Sequence, residues 1–377
     1  WVLLSSTPPR QVVVAYTQPN SPATAATVML ERGAEILVVD GVDLVNDNTQ
    51  AGVNILNAGL FPAGTGETHT FTIRDPGSAN TRSVTMTSAN ITLTPVQSVS
   101  IVATPTGNVG YLVFNDHIAT AEQALVNAVN QLDGSNIVDL VIDLRYNGGG
   151  YLDIASEFAY MIAGAAATGG RTFELLQFNS KHPTTDPVTG QPLAPIPFHN
   201  RALGFSVPGG QLLPTLNLPR VFVLSGPNTC SASESIVNSL RGVDVEVIQV
   251  GSTTCGKPYG FYATDNCGTT YFTIQFRGVN EKNFGDYPDG FSPANSVGAG
   301  GVPLPGCSVG DDFSRALGDP LEARFAAALN YRDTQVCPAA SGFVQPGLAK
   351  TTAGETLALA DGLMHKSPWR QNRILPK

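Results

Sequence analysis

Charge is scarce in this chain of 377 residues: 14% of positions are Asp, Glu, Lys or Arg, and the formal net charge is -9. No cluster of Lys or Arg stands out. Gripping nucleic-acid phosphates needs a basic face, so no nucleic-acid partner is expected. No apolar run approaches the ~20 residues of a membrane span. The five histidines and five cysteines do not fall at the spacings of a zinc site, so neither a metal nor any other cofactor is expected. No internal repeat or low-complexity tract is visible.

What is present is a core. Hydrophobic residues make up 42% of the chain, enough to bury a sizeable core, and 377 residues are enough for two domains. The chain begins at Trp1 rather than at a methionine, which reads as a trimmed or a mature form, so the absence of a signal peptide or lipid anchor decides nothing about export. Membrane attachment is expected only through such an anchor. Low lysine content and loop-borne cysteines point to an exported protein, periplasmic, cell-envelope or secreted. Cys255 and Cys267 flank the polar stretch 256–266 and are expected to pair across it. Cys307 and Cys337 bracket a helix expected over 319–331 and form a second expected pair, which leaves Cys230 over.

Residues 1–95 read as a small β-rich domain. Strands are expected at 12–16 and 35–42, the latter running into the tight Asp40-Gly41 turn. Short helices are expected at 25–30, ended by Gly33, and at 49–58; strands 68–74 and 81–87 alternate as a hairpin. The Thr/Pro/Val-rich stretch from Ile91 to Thr106 reads as a connector, assigned to 96–109. From 110 to 335 strands and helices alternate, which gives an α/β core. Its strands are expected at 111–114, 138–144, 221–225, 245–250 and 269–276, and its helices at 119–132, 152–162 and 231–240. A long proline-rich insertion, 168–219, interrupts it as a lid or substrate wall, and 336–377 form a C-terminal extension.

Three segments carry chemistry. Thr229-Cys230-Ser231-Ala232-Ser233-Glu234 places a serine where a strand ends and a helix begins. There the N–H of Ala232 and the helix dipole suit an oxyanion, although a plain N-cap serine would look the same. Gly256-Lys257 follows the next buried strand, and a desolvated lysine amine can serve as the base for a serine. A solvated surface lysine is the plainer alternative. Asp143-Leu144-Arg145-Tyr146-Asn147-Gly148-Gly149-Gly150 lies between a buried strand and a helix, and its glycines let backbone approach a ligand.

In order and spacing these segments resemble the S41 family of serine peptidases, the carboxyl-terminal (tail-specific) processing proteases, over residues 108–280. Residues 1–95, with Pro22-Ala23, Leu30-Glu31-Arg32-Gly33 and Ile36 to Val42, resemble a PDZ module. The carboxylate-binding loop that opens such a module is not evident near Trp1. The resemblance implies an α/β (α+β) fold, a crotonase/ClpP-like ββα core beside a smaller PDZ-like domain. It implies Ser231 as nucleophile, Lys257 as general base, and Gly149, Gly150 and Ala232 as oxyanion donors. Tyr151 and Phe261 are expected to line the substrate groove. The family's glutamine four residues after the lysine is Phe261 here, so Gln275 is the candidate to orient Lys257 instead. The alanine before the nucleophile is Cys230.

The activity so implied is endopeptidase cleavage of unfolded or C-terminal protein segments through an acyl-enzyme. Two other readings stand beside it. One is a non-catalytic protein holding peptides or apolar ligands on the same scaffold. The other is a Ser–His hydrolase, with His117 after Phe114-Asn115-Asp116 as the base. In each, a polypeptide or apolar ligand is the partner, and the oligomeric state is not legible.

Overall fold

The structure, a computed structural model, describes residues 1–338 and the backbone of one further strand, Arg373–Ile374. Nearly all of the expected C-terminal extension therefore lies outside the described residues. Among the described residues the chain divides into two compact units, Trp1–Thr94 with Gly310–Glu322, and Pro95–Val309 with 323–338 and 373–374.

The first unit is a twisted antiparallel sheet with one helix. Its elements are β1 (Val2–Ser5), β2 (Gln11–Val13), β3 (Glu35–Val39), β4 (Val42–Asp43), α1 (Gln50–Leu60), β5 (Thr68–Arg74) and β6 (Thr81–Thr87). The strand order is β1-β2-β3-β5-β6, with β4 folded back on β3. Asp40 and Gly41 both take positive φ, 48° and 83°, as a two-residue hairpin turn with the strands' own twist requires. Thr49 caps α1 by accepting from the Gly52 N–H. Val12, Ile36, Val39, Leu56, Phe71 and Ile73 form the core. Arg32 secures the 310–322 segment to this unit through the Asp311 carboxylate and the Asp312 and Arg315 carbonyls. The helix expected at 25–30 is absent. Only a 3-10 turn at Pro22–Thr24 forms, because β-branched Thr27 and Val28 disfavour helix and Met29 sits at φ 43°.

The second unit is built on a six-stranded, mostly parallel sheet. In chain order the unit runs β7 (Val96–Thr104), β8 (Gly107–Phe114), α2 (Ala121–Asp133), β9 (Ile137–Asp143), β10 (Gly150–Tyr151), α3 (Leu152–Thr168), β11 (Thr172–Gln177), β12 (Ile196–Pro197), β13 (Arg220–Ser225), α4 (Ala232–Gly242) and β14 (Glu246–Gly251). It continues with β15 (Tyr259–Gly260), β16 (Thr264–Asn266), β17 (Thr269–Tyr271), β18 (Phe276–Val279), β19 (Phe291–Pro293), β20 (Val302–Leu304), β21 (Gly306–Ser308), α5 (Ala323–Thr334) and β22 (Arg373–Ile374). The main sheet has the order β21-β14-β13-β9-β8-β7, with only the β7–β8 pair antiparallel. A second sheet runs β12-β11-β18-β15.

Both faces of the main sheet are covered, which is why its strands read as nearly continuous apolar runs. Leu112, Phe114, Leu140, Ile142, Val221 and Val223 share one core with Leu125, Phe158 and Ile236 of the helices. The alternate residue Tyr111 points the other way and stacks on Phe325 of α5, with ring centroids 4.5 Å apart. The carboxyl ends of β9, β13 and β14 lead into the three segments picked out by sequence, so one edge of the sheet gathers them.

Three sequence boundaries need correction. Residues 96–109 are not a connector: they form β7 and the start of β8, and a Thr/Val-rich composition suits an edge strand as well as a loop. The insertion 168–219 is not wholly irregular, since β11 lies in the second sheet against β18. The strand expected over 269–276 is two strands, β17 and β18, in different sheets.

Candidate active site

The turn after β13 is fixed before the serine is reached. Thr229 Oγ1 donates to the Leu144 carbonyl at 2.8 Å and accepts from the Gly226 N–H at 3.0 Å. Ser231 follows as the N-cap of α4, with φ 57° and ψ -113°. A non-glycine residue in that region is strained, and such strain persists only where the surroundings enforce it. The serine is fully buried, and its Oγ has no hydrogen-bond partner among the described residues. Ala232, the first helical residue, is buried beside it.

Asn147 joins the glycine segment to this turn. Its backbone carbonyl accepts from the Cys230 N–H at 3.1 Å and from Ser233 Oγ at 3.0 Å. Its side chain donates to the Phe114 carbonyl and accepts from the Gly149 N–H. Its Oδ1 also lies 3.0 Å from His117 Nδ1. His117 runs alongside the glycines: its N–H donates to the Gly149 carbonyl and its carbonyl accepts from the Tyr151 N–H. Gly150 has φ 137°, and a Cβ there would stand 2.4 Å from the His117 carbonyl oxygen, so only glycine fits. On its other side, Gly150–Tyr151 pairs in parallel with Arg373–Ile374, showing that this edge accepts an extended strand.

The lysine segment is held by a buried carboxylate. Glu234, in the first turn of α4, is fully buried. It accepts from the N–H groups of Ser231 (2.9 Å), Gly256 (2.9 Å) and Lys257 (2.8 Å), and from Thr254 Oγ1 (2.5 Å). Burial pushes its pKa up, against the pull of those four donors. Two further links join the segments. The Cys255 N–H donates to the Thr229 carbonyl at 3.1 Å, and Cys230 and Cys255 form a disulfide.

That disulfide corrects the sequence expectation, which paired Cys255 with Cys267. The hydrogen bonds on Glu234 and Thr229 draw Cys255 to within 5.2 Å of Cys230, Cα to Cα, inside disulfide range. Cys267 is exposed at the tip of the β16–β17 hairpin and is free. A second disulfide joins Cys307 to Cys337. Among the described residues the potential metal-ligating cluster is Cys230, Glu234 and Cys255, and its two sulfurs are already bonded to each other.

Other expected site residues are redistributed. Phe261 does not line a groove: it is 1% exposed, packs edge-on to Phe272, and its ring centroid lies 5.8 Å from Lys257 Nζ. An aromatic side chain in that place finds the core before the surface. Gln275 accepts from the Tyr262 N–H at 2.8 Å, bracing the chain after Lys257. Gly149 gives its N–H to Asn147, which removes it as an oxyanion donor. Tyr151 is half-buried and packs against Phe205 of the 168–219 insertion, with ring centroids 4.9 Å apart and the planes tilted by 42°.

A feature without a signal in the sequence secures that insertion. Glu122 of α2 and Glu157 of α3 are both buried and face residues 203–207. Glu122 accepts the N–H groups of Leu203, Gly204, Ser206 and Val207, and Glu157 also accepts from Leu203. Burial opposes ionisation of Glu122, but the backbone donors of Ser206, Val207 and Gly204 hold its pKa below the ordinary value. Burial, with the charges of Glu122 and Asp153, pushes Glu157 up to about 8. Spaced 35 positions apart, the two glutamates carry no local sequence signal.

The profile of peptidase family S41 matches residues 108–261, the stretch that holds the glycine segment, Ser231 and Lys257. A carboxyl-terminal-processing protease of a Picosynechococcus strain is 31% identical over 141 residues, 37% of this chain. The match spans about a third (32%) of that relative's length. Among solved structures, a protein of Bacteroides fragilis assigned to the S41 proteases superposes with a TM-score of 0.67 at 21% identity, over 88% of this chain and 80% of that one. The fold is therefore the mixed α/β architecture of that structure.

Proposed function

Starting from a domain of peptidase family S41 at residues 108–261, we propose that this protein is a serine endopeptidase in which Ser231 is the nucleophile and Lys257 the general base. The observation that carries the reading is the convergence of both residues' backbone N–H groups on the Glu234 carboxylate. A nucleophile and base must be held in register for one to take the other's proton. Ser231 Oγ loses its proton to the Lys257 amine as it attacks the scissile carbonyl. The amine returns that proton to the leaving nitrogen, and water then releases the acyl group by the same route. Ala232, at the helix start, and Gly150, the triplet glycine whose neighbour Gly149 is already bonded to Asn147, supply the oxyanion N–H groups.

The substrate is an extended, unfolded or C-terminal polypeptide segment. The strand-accepting edge at Gly150–Tyr151 supports this, since backbone pairing there reads shape and not side-chain sequence. The N-terminal unit, read as a PDZ-like module, would recruit such segments. An exported location agrees with the two disulfides.

A second reading, with His117 as base, is favoured by one observation. His117 is buried beside the glycine segment, and its Nδ1 faces the Asn147 oxygen. That contact could fix the tautomer that presents Nε2 as acceptor.

The test of serine chemistry is labelling by a fluorophosphonate probe together with cleavage of an unfolded protein. Labelling at Ser231, and loss of both signals in Ser231→Ala, are expected. Cleavage persisting in that variant would overturn the assignment, and a folded protein that neither labels nor cleaves would favour the non-catalytic reading, a protein holding peptides or apolar ligands on the same scaffold.

A further inference from the structure

The Cys230–Cys255 disulfide lies at a place where a cross-link has consequences for chemistry. Cys230 is the residue before Ser231, and Cys255 is two residues before Lys257. The bond therefore ties the nucleophile turn directly to the base-bearing segment. The other connections are non-covalent: the bonds to Glu234 and one backbone bond from Cys255 to Thr229. Burial also raises the Glu234 pKa, so its acceptor role is held against a desolvation penalty. Cys255 is exposed and Cys230 is half-buried, so a small dithiol can reach the bond.

We propose that the Cys230–Cys255 disulfide is a redox-dependent positioning device for the Ser231–Lys257 pair: closed, it holds the amine in register with the hydroxyl, and opened, it lets the lysine segment drift. This rests on the Ser–Lys reading above. Opening needs a dithiol reductant. One of its thiolates attacks Cys255 Sγ, forming a mixed disulfide and releasing the Cys230 thiolate. Its second thiolate then attacks its own sulfur in the mixed disulfide and expels the Cys255 thiolate, leaving the reductant as a cyclic disulfide and two protein thiols; two electrons and two protons have passed to the protein. Misplacing reacting groups by about 1 Å costs on the order of 100-fold in rate, so partial loosening suffices for a large effect.

The protein carries its own controls. Cys307–Cys337 joins β21 to the chain after α5, and neither end lies in the three site segments. Cys267 is exposed and unbonded.

The experiment measures kcat, KM and the pH profile of the full chain on an unfolded protein, before and after dithiothreitol. The state of each cysteine is read by alkylation and mass, and folding by circular dichroism. Opening of Cys230–Cys255 should lower kcat by about tenfold or more with KM nearly unchanged, as expected when register and not binding is lost. It should also displace the basic limb of the profile, and re-oxidation should restore both. Cys230→Ala/Cys255→Ala should be slow and indifferent to dithiothreitol. Cys307→Ala/Cys337→Ala and Cys267→Ser should keep the response. Should the double alanine variant fail to fold, Cys230→Ser with Cys255 alkylated replaces it. Unchanged kcat after demonstrated opening, or a loss that merely follows unfolding, overturns the latch while leaving the Ser–Lys reading intact. An oxidised protein that is active without Lys257 overturns that reading and the latch with it.

Discussion

Ser231 and Lys257, 26 positions apart in sequence, donate their backbone N–H groups to one carboxylate, that of Glu234, at 2.9 and 2.8 Å. All four hydrogen bonds at that carboxylate point inward, so it is an acceptor and nothing else. Glu234→Gln would place an amide NH2 among N–H donors. It should lower kcat by about 10- to 100-fold and cost about 1–3 kcal/mol of stability, the usual penalty for a buried donor left unmet. Steady-state kinetics and urea denaturation check both. A variant as active as the parent would show that Glu234 does not set the register.

Ser231 holds a positive φ that glycine adopts freely. Ser231→Gly should therefore abolish cleavage yet stabilise the fold by about 1 kcal/mol, the scale of released backbone strain. Ser231→Ala should abolish cleavage without that gain. Thermal melts of the two variants make the comparison, and equal melting temperatures would contradict a strained nucleophile turn.

Glu157 yields a pH prediction. Its folded pKa is raised from 4.5 to about 8 by burial and by Glu122 and Asp153. Below pH 4.5 both folded and unfolded chains carry the proton. Between 4.5 and about 8 the unfolded chain has lost it while the folded chain holds it, so stability falls as pH rises across that window. Glu157→Gln keeps the protonated shape without titrating. It should flatten that fall and be the more stable protein at pH 8, by about 1–2 kcal/mol. Denaturation curves at pH 5 and pH 8 measure the difference, and parallel losses in both proteins would contradict it.

Much of this was legible in the sequence, and the misses share a cause. The α/β alternation announced β9, α3, β13, α4 and β14 because buried parallel strands and their helices leave strong apolar patterns. The β5–β6 hairpin was readable to the residue from its alternation. Ser231 and Lys257 stood out because each follows the end of a buried strand. Elements decided by distant contacts did not show. The sequence could not reveal that Glu234 gathers the lysine segment, so Cys255 was expected to join Cys267, its neighbour along the chain. Phe261 was expected in the groove because nothing local marks its burial against Phe272. Asn147 read as part of a glycine turn, whereas its role in linking His117, Gly149 and Cys230 depends on three separate segments.

The central claim, that Lys257 and not His117 activates Ser231, is tested most directly by the rate of fluorophosphonate labelling of Ser231 across pH in Lys257→Met and His117→Phe. The account predicts that Lys257→Met loses labelling by about 100-fold or more, the scale of a lost general base, and also loses its pH dependence. His117→Phe should retain most of the rate and the same profile. Fast labelling in Lys257→Met with loss in His117→Phe would contradict the account and make His117 the base.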